Sequence, residues 1–293
     1  MKRFKKLRAI KIAVLLIMNL IIIAMLASCK HDNDYFVTTE EYTEATNIET
    51  TEKENYEEKE DKTKTPSTTE ASNYETGEDV SISDLKVQLE NNNFNFDQTK
   101  TIEIQDQSSI YALINKFNSL SSSYVPSDLV YPDVPFSFSG NDQKRQMRKE
   151  AAQALERLFE AAKKDSIELA AVSGYRSFER QQTIYAGNVK RMGETEANKV
   201  SAKPGQSEHQ SGLAMDVSSQ SAGYNLVDSF GETNEGKWLS KNAHLYGFTI
   251  RYKKDKTDIT KYSYEPWHIR YLGKELAGYL YENNLTLEEF YQQ

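Results

Sequence analysis

Alternation of apolar and small or polar side chains from Leu213 to Val217 is the feature that most narrows what this chain can fold into. A strand has a period of two, so Leu213, Met215 and Val217 share one face while Ala214 and Asp216 share the other. The first face packs. The second sets a carboxylate beside a short methyl, with room for something to be bound. Upstream, Pro204, Gly205 and Gly212 let the backbone turn sharply, which brings His209 back over the end of the strand.

A second alternation runs through Trp267, Ile269 and Tyr271, with His268 and Arg270 on the opposite face. Glu265 lies an odd number of residues from His268, so a regular strand would separate them. Pro266 cannot serve a central ladder and predicts a loop or bulge there, which lets Glu265 swing to the side of His268. Two histidines and an aspartate suit a catalytic zinc that keeps a fourth position for water, and a nearby unligated glutamate suits a general base. Arg176, in a glycine-containing loop after a buried strand, offers its fork to a substrate carboxylate or to a developing oxyanion. A structural salt bridge is the plainer use of such an arginine.

Ser207-x-His209-x-x-Gly212-x-Ala214-x-Asp216, followed by Glu265-x-Trp267-His268-x-Arg270-Tyr271 and preceded by Ser173-Gly-Tyr-Arg-Ser177, resembles the zinc D-alanyl-D-alanine carboxypeptidase family of bacterial cell walls, the VanY type. Related L,D-carboxypeptidases trim peptidoglycan tetrapeptides. The resemblance extends from about Tyr124 to about Glu282. It implies Zn²⁺ held by His209, Asp216 and His268, with Glu265 as base and Arg176 in substrate or transition-state binding. Tyr175, Gln181 and Ser207 match further family positions as substrate contacts. The implied reaction is removal of the C-terminal D-amino acid from peptidoglycan stem peptides. An endopeptidase on the same scaffold and a non-catalytic wall-binding module with a structural zinc are the alternatives, and retention of Glu265 speaks against the second. No nucleic acid and no protein partner is implied.

The ends of the chain differ sharply in charge. Residues 1–28 carry six Lys/Arg and no acid, and an apolar run from Ile12 to Leu26 is broken only by Asn19. That pattern reads as a signal peptide, too short for a comfortable membrane span. Leu26-Ala-Ser-Cys29 resembles a bacterial lipoprotein cleavage box, so the single cysteine is the expected lipidation site. An uncleaved N-terminal anchor is the alternative. Either way the remainder is exported, and a lipidated Cys29 places it at the outer face of the cytoplasmic membrane without an internal disulfide. From residue 30 to 80 there are 16 acidic against five basic residues and no apolar period. Such a stretch cannot repay the entropy of ordering, so 29–80 is expected to be a disordered, self-repelling tether.

Residues 81–123 read as a lead-in or small subdomain, with a short strand at Thr101–Ile104 and a helix from Ser108 to Leu120 carrying Ile110, Leu113, Ile114 and Phe117. Residues 124–293 form the expected zinc domain. Its helices are predicted over Gln143–Lys164, from Ser177 to Met192, over Glu194–Val200, over Gly236–Tyr246 with Trp238, Leu239 and Leu245 inward, and over Lys274–Asn283 and Leu287–Gln293. Strands are predicted over Ile167–Val172, Leu213–Val217, Phe248–Tyr252 and Glu265–Tyr271. Helices followed by short strands without βαβ alternation predict an α+β fold, a small antiparallel sheet flanked by helices with the zinc site at the sheet.

Overall fold

Burial of one stripe of the helix Lys149–Lys164 against a short sheet organises the fold. Ala151, Ala154, Leu155, Leu158, Phe159 and Ala162 sit in the same cluster as Leu213, Met215, Val217, Phe248, Ile269 and Tyr271. The computed structural model describes residues 81–89 and 93–293. The basic leader, Cys29, His31 and the acidic segment lie outside the described residues.

Two short pairings precede the main sheet: β1 (Ile102–Glu103) runs parallel to β2 (Asn118–Ser119), and β3 (Leu129–Val130) antiparallel to β4 (Met147–Arg148). The main sheet contains β5 (Ala170–Ser173), β6 (Ala214–Ser218), β7 (Phe248–Tyr252) and β8 (Glu265–Tyr271) in the order β5-β6-β8-β7, each pair antiparallel. The mixed α+β architecture is the one the sequence predicts. The strands containing Asp216 and His268 lie side by side at its centre, while the β7–β8 register slips between Ile250 and Tyr252, opposite the Pro266 end of β8.

Three sequence expectations fail for identifiable reasons. The helix expected from Gln143 begins only at Lys149. Asp142 caps a 3-10 turn by accepting from Lys144 N, and the carbonyls of Lys144 and Gln146 accept from Gly174 N and Tyr175 N. Those carbonyls are therefore withdrawn from any helical ladder. The stretch 108–120 is not helical either. Its apolar residues divide among separate cores, with Ile110 against the main cluster, Leu113 beside Leu276 and Leu280, and Ile114 with Ile104 and Leu120. Asn115 Oδ1 accepts from the backbone N–H of Phe117 and of Asn118, a local alternative to helix that Asn offers readily. Leu245 is 53% exposed rather than inward. The helix Asn234–Asn242 tightens into a 3-10 turn at Ala243–Tyr246, and the change of period rotates Leu245 away from the face that buries Leu239.

The lead-in packs on the rest of the fold. Leu85 and Leu89 join Leu272, Leu276, Leu280, Leu287 and Phe290 in one cluster, and Ile110 O and Ala112 O accept from Arg270 Nη2 at 3.0 Å each.

Candidate metal centre

Asp216 and His268 are direct cross-strand partners on β6 and β8, so their side chains leave the sheet on the same face. His209 reaches them from the 3-10 turn Glu208–Ser211, which Gly212 terminates at φ 68°. A side chain at 212 would be strained by that φ, and its Cβ would come within 2.9 Å of Leu129 Cδ2 and 3.0 Å of Arg148 Cγ. Gly174 is needed for a different reason. A Cβ there would lie 2.5 Å from Gln146 O and 2.9 Å from Met215 Cε. This lets the 174–176 loop lie against the His209 turn, with Gly174 O at 2.8 Å from His209 Nδ1 and Arg176 N donating to His209 O at 3.1 Å.

One ligand atom from each of His209, Asp216 and His268 lies within 4.8 Å of the others, and all three residues are buried. His209 Nε2 stands 3.3 Å from Asp216 Oδ2, and His268 Nδ1 stands 3.1 Å from Asp216 Oδ1. Gly174 O only accepts, so the ring proton of neutral His209 sits on Nδ1 and the lone pair of Nε2 faces Asp216. Both nitrogens of His268 face carboxylates, Nε2 that of Glu208 and Nδ1 that of Asp216, each at 3.1 Å, so a cation held by Nδ1 would leave the ring proton on Nε2. Two imidazoles and one carboxylate fit a zinc site that leaves a position open.

Charge balances follow the same geometry. Burial opposes ionisation of Asp216, but the two imidazoles hold its carboxyl well below the usual range. Burial likewise opposes charge on His268, yet its bonds to the Asp216 and Glu208 carboxylates raise it to about 9 in the metal-free protein. For His209 burial prevails, assisted by Arg176, and the imidazole is pushed down. Glu265 Oε2 lies 3.9 Å from His268 Nδ1, farther out than Asp216. Burial raises its carboxyl to about 7, with Asp216 and Glu208 adding to the rise and His268 and Arg176 opposing it.

Arg176 comes within 4.0 Å of Asp216 Oδ2 and is held by Gln181 Oε1 and Ser173 Oγ at 3.0 Å each. Gln181, expected as a substrate contact, is 1% exposed, its amide accepting from Arg176 and donating to Ala202 O at 2.7 Å. Tyr175 and Ser207 are also buried beside the loop and the turn. Sequence reasoning missed Tyr252, whose ring lies 5.0 Å from that of His268, and the buried charges Glu208, Arg251 and Glu288. Glu208 occupies the open position of Ser207-x-His209, and Arg251 alternates with apolar neighbours in a predicted strand. Those are the signals that were available.

The profile of the VanY D-alanyl-D-alanine carboxypeptidase family matches residues 144–274. The chain is 56% identical over 190 residues to the putative carboxypeptidase YodJ of Bacillus subtilis (strain 168), covering 65% of this chain and 70% of that protein. It is similar to the solved structure of the LdcB LD-carboxypeptidase, at 53% identity and a TM-score of 0.65 over 69% of this chain and 94% of that one. It is also similar to a mutant of the D,D-pentapeptidase VanY from a VanB-type vancomycin resistance cassette, solved in complex with Zn(II). There the identity is 32% and the TM-score 0.51, over 63% of this chain and 98% of that one.

Proposed function

The chain belongs to the VanY family of D-alanyl-D-alanine carboxypeptidases, and from that premise we propose that His209, Asp216 and His268 hold one zinc ion, Glu265 is the general base and Arg176 grips the substrate. As a member of this family it is a peptidoglycan carboxypeptidase, of the D,D or the L,D type. The observation that supports the zinc assignment is the convergence of His209 Nε2 and His268 Nδ1 on Asp216, 3.3 and 3.1 Å from its two carboxylate oxygens, with all three residues buried.

A zinc ion, when bound, supplies Lewis acidity toward the scissile carbonyl and acidifies the attacking water. Glu265 takes a proton from that water and delivers it to the departing amine as the C–N bond breaks. Burial raises that carboxyl to about 7 in the metal-free protein, and a cation beside it would draw it back toward the ionised form that a base needs. A base so placed typically contributes about 10²–10⁴-fold. Arg176 presents a guanidinium already oriented by Gln181 and Ser173, so little side-chain entropy is lost when it meets an anion.

The test is mass spectrometry of purified muropeptides incubated with the zinc-loaded protein. Loss of one terminal residue from pentapeptides marks D,D specificity, and loss from tetrapeptides marks L,D. Glu265→Gln should keep zinc and lose turnover; full turnover in that variant sinks the assignment of the base. Arg176→Ala against substrates with free and amidated C-termini separates a carboxylate grip from an oxyanion role. A grip makes the variant and the amidation equally harmful, whereas an oxyanion role lowers kcat and leaves amidation the milder change. We also propose that Cys29 is lipidated and that the domain works at the outer face of the cytoplasmic membrane. The Leu26-Ala-Ser-Cys29 box after a basic, apolar leader supports this reading.

A further inference from the structure

His268 Nε2 is one end of a chain of buried charges that runs to the last helix of the protein. Glu208 is 1% exposed, an expensive place for a carboxylate unless every oxygen is paired. Its Oε1 accepts from Arg251 Nε and from Arg270 Nη1, each at 2.8 Å. Arg251 in turn makes a two-pronged contact with Glu288, Nη1 to Oε2 at 2.8 Å and Nη2 to Oε1 at 2.6 Å, and Asn115 Nδ2 donates to the same Oε1 at 3.2 Å. Arg270 is fixed further by three backbone carbonyls, of Ile110, Ala112 and Tyr271.

Two arginines and two glutamates cancel, so the quartet is neutral as a unit. One acceptor remains for outside use, Glu208 Oε2, and it faces His268 Nε2. With a metal on Nδ1, an acceptor there holds the remaining ring proton on Nε2 and fixes the direction of the ring. Glu208 lies one residue before His209, yet its carboxylate meets the other histidine.

We propose that Glu208 is a positioning residue for His268, and that Arg251 and Glu288 extend this control to the C-terminal helix Leu287–Phe290, so that the end of the chain sets the aim of a metal ligand. The proposal rests on the reading of His268 as a zinc ligand. An acidic partner on the outer nitrogen of a metal histidine typically changes metal affinity by about 10–100-fold.

The test uses the full chain. The zinc dissociation constant is measured by competition with a chromophoric chelator, and the visible d–d spectrum is recorded after cobalt substitution. Glu208→Gln keeps the volume but can donate to His268 Nε2, which permits the opposite tautomer with a proton aimed at the metal. It should bind zinc about 10–100-fold more weakly and shift the cobalt spectrum. Unchanged affinity and an unchanged spectrum in Glu208→Gln overturn the proposal. If Glu208→Gln does not fold, Glu288→Gln decides, because it loosens Arg251 without touching the turn that carries His209. Weaker zinc binding with a shifted spectrum supports the proposal, and wild-type values refute it. His268→Ala separates the two levels of inference. Wild-type zinc affinity in His268→Ala removes the ligand assignment itself. Loss of zinc there, with wild-type behaviour in the glutamate variants, removes only the positioning role.

Discussion

Glu265→Gln is expected to make the metal-free protein more stable, by an amount that grows with pH. Glu265 is partly buried, with 16% of its side chain exposed, and among the described residues no donor bonds to its carboxylate; its ion-pair partner is His268 Nδ1 at 3.9 Å. Burial and the neighbouring carboxylates raise it from the ordinary 4.5 to about 7. Between those values the folded state holds a proton that the unfolded state has released, so stability falls as pH rises from 4.5 toward 7. A rise of about 2.5 pH units corresponds to about 3 kcal/mol, and partial exposure trims this to about 2–3 kcal/mol. Glutamine fills the same space and cannot ionise. Urea unfolding of EDTA-treated wild type and variant at pH 4, 6 and 8 isolates the effect, because other titrating groups largely cancel in the difference. The variant's advantage should widen by about 2–3 kcal/mol from pH 4 to pH 8. A difference that stays flat across this range would refute the claim that burial holds the carboxyl near neutrality. The same variant should be inactive, so stability and catalysis move in opposite directions at one residue.

The His209→Ala, His268→Ala double variant should lose the near one zinc per chain that elemental analysis finds in the wild type, and equal metal content would remove the site assignment. Gly212→Ala forces a left-handed φ of 68° on a residue with a Cβ and presses it against Leu129 and Arg148. The φ alone costs about 1–2 kcal/mol, so a lowered thermal midpoint together with weaker zinc binding is expected, and an unchanged midpoint contradicts the reasoning. Cys29→Ala should move the protein out of the membrane fraction or alter its processing, whereas an unchanged distribution with an intact leader favours a plain N-terminal anchor.

Period and punctuation in the sequence were enough for the elements that carry the candidate ligands. Alternation through Leu213–Val217 and Trp267–Tyr271 located two strands and told which side chains face the core, because a strand leaves each residue only two directions. Pro266 announced the irregularity that lets Glu265 approach His268, and the helix predicted from Ser177 begins with Ser177 Oγ accepting from Arg180 N at 3.2 Å. The tertiary structure alone decided what the remaining charged and apolar residues do. The 108–120 stripe has helical spacing, yet its residues are claimed by different clusters, so local period lost to long-range packing. Gln181 accepts from Arg176 Nη1, a contact that the turn into the helix creates. The place of Glu208 inside Ser207-x-His209 marks it for attention but does not tell its partners, since Arg251, His268 and Arg270 stand 43, 60 and 62 residues away. A buried charge is tolerable only where opposite charges and donors converge on it, and that convergence is a property of the folded chain rather than of any window of its sequence.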